Sequence, residues 1–241
     1  MGHTVKIKPC KTQSMKDQMM PWLTLRKCAG FVLMAIALMV FAGCVGGWTL
    51  KPEPAAKESA AAKSPAQGQL ADGRQGFIIT ESSQLDSAGR GDFERAIVLM
   101  SAQDYGPAAD LLEKIIAQSP GVTAPYINLA IALMHTDRPK QAEEHLKTAL
   151  GLVPDHPVAC NQYGLLCRKA GRFDEARSFY EKALARYPDY YPARRNLGIL
   201  CDLYLNDLEC ALAQYEIYSE ACPDDQKVGI WIADLRNRIG Q

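Results

Sequence analysis

The sequence predicts an all-α protein: a solenoid of four stacked helix hairpins, closed by a single C-terminal helix. Three columns of residues predict it. Ala96, Ala130, Gly164 and Gly198 recur every 34 residues. Ala108, Ala142, Ala176 and Ala211 recur at intervals of 34, 34 and 35, and Pro120, Pro154, Pro188 and Pro223 keep the same intervals. One fixed period in three independent columns means one supersecondary unit, repeated and stacked.

The bulk numbers bound the rest. The chain has 241 residues and a formal net charge of zero. Residues 1–44 hold six Lys/Arg and one acid, so the remainder carries 21 basic and 26 acidic residues, a net of −5. A mildly acidic body argues against nucleic acid, which needs a concentrated basic face.

Residues 1–28 are basic and irregular, and Ala29–Leu50 carries no charge. Its apolar core, Ala29–Ala42, is 14 residues long. That fits the hydrophobic region of a secretory signal behind the positive pair Arg26-Lys27. The run ends in Phe41-Ala42-Gly43-Cys44. Here the sequence resembles a bacterial lipoprotein signal, with Phe41 in place of the usual Leu. The resemblance implies removal of 1–43 and lipid attachment at Cys44. Val45 rather than Asp then favours the outer membrane, facing the periplasm of a Gram-negative-type envelope. The alternative is an uncleaved helix over the same uncharged run, which is long enough to span a bilayer. Either anchor leaves the body on the non-cytoplasmic side.

Residues 44–88 read as a lipidated tether. Residues 51–75 are rich in Ala, Pro, Lys, Ser and Gln and bury too little apolar surface to fold. Gly76-Phe77-Ile78-Ile79-Thr80 interrupts them; a β-like docking segment is one reading of this run, and the preferred one is that it lies on the first repeat's exposed helix.

The repeats follow at 89–122, 123–156, 157–190 and 191–225. The best-formed unit, Thr123–His156, predicts a helix from about Pro125 to His135, a turn at Thr136-Asp137-Arg138, and a helix from Pro139 to Leu152. It supplies Tyr126, Leu129, Ala130, Leu133, Ala142, Leu146, Ala149 and Pro154. The third supplies Tyr163, Gly164, Ala176, Tyr180, Ala183 and Pro188, with Cys160 and Cys167 departing. The first keeps Ala96, Leu99, Ala108, Leu112 and Pro120, with a polar Arg95 suited to a terminal repeat. The fourth has Leu197 and Gly198, one extra residue placed in its turn at Leu205-Asn206-Asp207-Leu208, then Ala211, Tyr215, Tyr218 and Pro223. These columns resemble the tetratricopeptide repeat family. The resemblance implies a right-handed α-α superhelix of four helix pairs. The small residues sit where two helices cross, and a larger side chain there would overpack. Residues 226–241 then form a capping helix, with Val228, Trp231, Ile232, Leu235 and Ile239 on one face.

No Gly-rich phosphate loop, HExxH or GxSxG motif is present. His135, His145 and His156 fall at unrelated repeat positions, so we expect no metal site and no cofactor. Eight cysteines form no CxxC pair. Cys160 and Cys167 lie about 10 Å apart along one helix, beyond disulfide reach. Cys201 and Cys210, on the two helices of one hairpin, are the pair to test; buried thiols acting as small apolar fillers are the default reading.

The remaining functional surface is the groove lined by the first helix of each repeat. Family resemblance places partner contacts at Ile127, Ile131, Met134 and His135, at Asn161, Leu165, Arg168 and Lys169, and at Arg195, Ile199, Asp202 and Leu203. Asn128, Gln162 and Asn196 could hold a partner backbone. The carboxylate clamp of chaperone-binding members is missing, since Phe93, Ile97, Val158 and Gln162 occupy its positions. An acidic C-terminal tail is therefore not the expected ligand; a partly apolar extended segment or helix is. The chain resembles small tetratricopeptide lipoproteins of the pilotin and Tad-type pilus assembly class. The implied function is a non-enzymatic envelope scaffold that holds a protein partner, with no small-molecule substrate. A scaffold for polysaccharide export or for a proton-driven complex is the alternative.

Overall fold

The computed structural model describes residues 83–240 in full and the backbone of three strands before them, β1 (His3–Thr4), β2 (Lys63–Gln69) and β3 (Gln75–Thr80). The expected signal segment, its Ala29–Leu50 run and Cys44 lie outside the described residues.

Helices α1 (Ser87–Ser101) and α2 (Tyr105–Gln118) form the first hairpin. Helices α3 (Thr123–His135) and α4 (Pro139–Leu152) form the second, and α5 (Pro157–Lys169) and α6 (Phe173–Arg186) the third. The fourth pairs α7 (Tyr191–Leu200), extended by a π-helical turn at Cys201–Leu205, with α8 (Leu208–Ala221). Helix α9 (Gln226–Ile239) packs on α8. Each helix packs on its successor, while α1, α3, α5 and α7 also touch in turn and make one continuous inner row. This is the all-α superhelix of four pairs and a cap that the period predicts.

The period is written into the backbone. Gln103, Asp137, Gly171 and Asn206 have φ of 64°, 58°, 76° and 52° and occupy the same place in the four hairpin turns. Left-handed backbone costs a non-glycine residue about 1 kcal/mol or more. Each turn recovers a hydrogen bond across its neck: Asp104, Arg138 and Arg172 donate their N–H groups to the carbonyls of Leu99, Leu133 and Cys167, each at 2.9 Å. In the fourth hairpin Asp207 donates to Cys201 at 2.9 Å, one residue further back. The extra residue is therefore absorbed as a π turn at the end of α7. The hairpin turn itself keeps its form, which corrects the placement at Leu205–Leu208. One residue inserted into a helix is accommodated most locally by a π bulge.

Small residues fill the crossings. Ala96, Ala108, Ala130, Ala142, Ala176 and Ala211 are fully buried. The facing column of large residues changes along the chain. It is Leu112 and Leu146 opposite Ala96 and Ala130, then Tyr180 and Tyr215 opposite Gly164 and Gly198. A Cβ on Gly164 would stand 2.6 Å from a Tyr180 ring carbon, and one on Gly198 would stand 2.5 Å from Tyr215. Where the column becomes aromatic, the crossing residue must lose its methyl.

Two further expectations are corrected. The Gly76–Thr80 run lies on no helix: β3 is the central strand of an antiparallel sheet in the order β1-β3-β2. Its partner β2 lies inside the stretch read as tether, with Ala66 opposite Ile78 and Gln67 opposite Phe77. Adjacent β-branched Ile78, Ile79 and Thr80 favour extended backbone. The register breaks between Lys63 and Ala66, where Pro65 has no N–H to give to a ladder.

Candidate functional site

The inner row presents α1, α3, α5, α7 and α9, and its chemistry divides at the third repeat. Ile97, Ile131 and Leu165 form one half-buried stripe along it, and Met100 and Met134 run beside them. In the Met column the next residue is Arg168. This end of the groove is apolar; the other is not.

Not every residue predicted to line the groove reaches its surface. Ile127 is buried among Tyr126, Ala149 and Ala159, and Ile199 lies in the main core. Asn161 and Asn196 are buried too, and Asn196 Nδ2 donates to Asn161 Oδ1 at 2.9 Å. These four build the floor. Asn128 is half-buried and spends its amide on the Ala124 carbonyl of its own helix, at 2.9 Å. Gln162 is half-buried and Lys169 exposed. Exposed His135 stacks on Tyr105 with ring centroids 4.1 Å apart, joining the turn edges of repeats one and two. Surface available to a partner thus comes from Ile131, Gln162, Leu165, Lys169 and the edge of Arg195.

The polar floor lies toward the cap. Arg195 is largely buried, with its Nε 3.6 Å from Asp225 Oδ2 and its guanidinium 5.5 Å from the centre of the Trp231 ring. The same Asp225 oxygen accepts from the Tyr218 hydroxyl at 3.1 Å. Arg238 reaches back from α9 to Asp202 at 2.7 Å. Arg168 lies 5.8 Å from the centre of the Tyr204 ring. Burial pushes the Tyr215 hydroxyl up; Asp202 adds to the rise, while Arg195, Arg168 and Arg238 oppose it. Three arginines from α5, α7 and α9 therefore act on one buried phenol. The Tyr180 hydroxyl, sealed from water, faces Arg168 without reaching good hydrogen-bond geometry.

Residue columns did not reveal the tyrosine hydroxyls, Tyr204 or Asp225 as part of this floor. The available signal was the switch from Ala/Leu pairs to Gly/Tyr pairs, which pushes two phenols toward the inner row.

Cross-repeat bonds hold the row rigid. Glu143 on α4 accepts from the Tyr163 hydroxyl at 2.8 Å and from both terminal nitrogens of Arg172 at 3.2 and 3.0 Å. One repeat on, Arg177 donates to Asp207 at 3.0 Å. The same two columns are used with the charges exchanged.

The cysteines divide as well. Cys201 and Cys210 are disulfide-bonded, with Cα atoms 6.0 Å apart. Cys160 and Cys167 are free and buried, and burial pushes both thiols up to about 12. A thiol held protonated is a poor nucleophile. Among the described residues, Cys201, Asp207 and Cys210 bring metal-ligand atom types within 4.8 Å. The sulfurs are bonded to each other, and the Asp207 oxygens accept from the Cys210 N–H and from Arg177. His156 is no ligand candidate either: its Nδ1 caps α5, accepting from the N–H groups of Val158 and Ala159 at 3.2 and 3.4 Å.

Comparison with known proteins agrees with this geometry. Family models described as tetratricopeptide repeat match residues 121–189 and 161–226. Among solved structures, Pseudomonas aeruginosa PilF is similar with a TM-score of 0.59 and 21% identity, over 64% of this chain and 69% of that one. PilW, described as a widely conserved type IV pilus biogenesis factor, gives a TM-score of 0.58 and 25% identity over 65% and 72%. Protein FlbA of Caulobacter vibrioides is 34% identical over 100 residues, 41% of this chain. The SPINDLY N-acetylglucosaminyltransferase of Petunia hybrida is 28% identical over 142 residues, 53% of this chain. The chain spans only 17% and 15% of the lengths of these last two, so neither protein's activity passes to it. Residues 121–226 carry tetratricopeptide repeats, and the helical body from Ser87 to Ile239 is a tetratricopeptide-repeat superhelix, the architecture of a protein-interaction scaffold.

Proposed function

We infer that the chain is a non-enzymatic envelope scaffold that holds a segment of an assembly partner in its inner groove, in the service of a pilus or secretion machine. One observation carries this reading: the half-buried stripe of Ile97, Ile131 and Leu165 runs unbroken across three repeats. Such a stripe is the right shape for the apolar face of a bound helix or extended segment. Similarity to PilF and PilW supports the choice of machine. The lipobox-like Phe41-Ala42-Gly43-Cys44 supports a lipid anchor at Cys44.

Two experiments test it. Ile131→Glu with Leu165→Glu places two charges on the stripe without touching a buried crossing. Affinity capture from membranes should lose the co-purifying assembly protein while the helical circular dichroism signal is unchanged. Unaltered capture would move the interface elsewhere. Cys44→Ser should release the protein from the membrane fraction; retention would favour a spanning helix.

A further inference from the structure

We propose that the groove takes a partner segment in which an acidic side chain follows or precedes apolar ones, with the acid seated on Arg168. This rests on the reading of the inner face as a protein-binding groove and names the chemistry of what enters it.

Arg195 is matched by Asp225, and Arg238 by Asp202 and Asp234. No ion pair holds Arg168 among the described residues. Of the three arginines on this stretch of the row it is the one that no described carboxylate pairs directly. It stands half-buried between the exposed ring of Tyr204 and the buried phenol of Tyr180. A guanidinium stacked on an aromatic ring keeps its in-plane N–H fork free, and that fork fits a carboxylate.

The column then gives the neighbours. Met100, Met134 and Arg168 are equivalent positions of successive inner helices, beside Ile97, Ile131 and Leu165. A segment lying along this row meets apolar surface twice and a cation once. Adjacent helices sit about 8–10 Å apart, which an extended chain spans in about three residues. The matching ligand therefore places its acid about three residues from a large apolar side chain. The clamp of chaperone-binding relatives plays no part, because its positions here are Phe93, Ile97, Val158 and Gln162. The acid can accordingly be internal, with no need of a free C terminus.

The test uses the full chain in detergent and fluorescein-labelled peptides carrying leucines and one aspartate at that spacing, made in both chain directions. Lysine replaces aspartate in twin peptides. In one direction the aspartate peptide should bind at least about tenfold more tightly than its lysine twin. Arg168→Met copies the residue of the two preceding repeats, so the fold tolerates it; it should erase the preference and keep leucine-dependent binding. Arg168→Glu should invert the preference. Equal binding of the twins, no binding in either direction, or an Arg168→Met protein that still prefers aspartate would overturn the proposal. Should it fall while Ile131→Glu with Leu165→Glu still loses the membrane partner, the groove reading stands without its acidic subsite. If that double variant also captures normally, the groove reading falls independently.

Discussion

Gly164 lies so close against the ring of Tyr180 that a methyl on it would sit 2.6 Å from the nearest ring carbon. The second repeat solves the same crossing with Ala130 and Leu146. The two solutions are alternatives, and mixing them should fail. Gly164→Ala alone should cost about 1–3 kcal/mol by overpacking. Tyr180→Leu alone should leave a void and cost a similar amount. Together they rebuild the second repeat's pair, so the double variant should be more stable than the sum of its parts by about 1–2 kcal/mol. Urea unfolding of the four proteins measures this; strict additivity would refute the pairing.

His156 provides a pH-dependent cap. Burial pushes its imidazole down to about 4, and the neutral ring accepts two N–H bonds at the start of α5. A folded value below the unfolded one means stability is full above about 6.5 and is lost as pH falls toward 4. The loss should reach about 2–4 kcal/mol. His156→Asn keeps a capping oxygen without the titration. Its stability should fall less steeply than the wild type's across that window, where His145, also pushed down by burial, still titrates, as followed by thermal melts at stepped pH.

Glu143 acts in a lower window. Burial pushes its carboxyl up, but hydrogen bonds from Tyr163, Arg172 and Lys147 more than reverse this and hold it at about 2. Its contribution is complete above about 4.5 and fades as pH falls toward 2. Glu143→Gln should remove that lower slope and cost about 1–2 kcal/mol at neutral pH. Acid titration of the wild type should therefore fall in two steps, and each substitution should delete one.

The Cys201–Cys210 bond closes a loop with a sequence separation of 9. Chain-entropy arguments give such a loop about 2–3 kcal/mol of stabilisation. Cys201→Ala with Cys210→Ala should lose that amount in urea unfolding under non-reducing conditions. Thiol counting on the native protein should find neither cysteine free.

The architecture was legible because it is periodic. Each small-residue column reports a steric limit that repeats every 34 residues, and steric limits are local enough to read from residue type. Groove lining was less legible. Ile127 and Ile199 belong to the right columns, yet both are buried. Column membership gives a direction around a helix, while burial depends on how far the neighbouring helix has closed in. The Asn161–Asn196 bond illustrates this, since it joins residues 35 apart from different columns. Sequence reading offered Asn196 as a hand for a partner's backbone; packing has already filled that hand. The sheet was less legible for a different reason: a β-like segment at Gly76–Thr80 is open to sequence reading, but its pairing is not. Gly76–Thr80 is too short for its periodicity to decide between helix and strand, and its pairing partner is a polar segment with no hydrophobic pattern.

The π turn at Cys201–Leu205 breaks the translational symmetry of the solenoid. Between the first two repeats, a segment displaced along the groove by one repeat would meet nearly the same surface, Met100 becoming Met134 and Ile97 becoming Ile131. Beyond the π turn the copying stops. Asp202 turns in to Arg238, while Leu203 and Tyr204 stand out to solvent. Arg168 has already changed the charge of the row in the third repeat, and the π turn then changes its geometry. One inserted residue thus ends the copying of one repeat by the next, so any segment lying along the row would find no equivalent register beyond it.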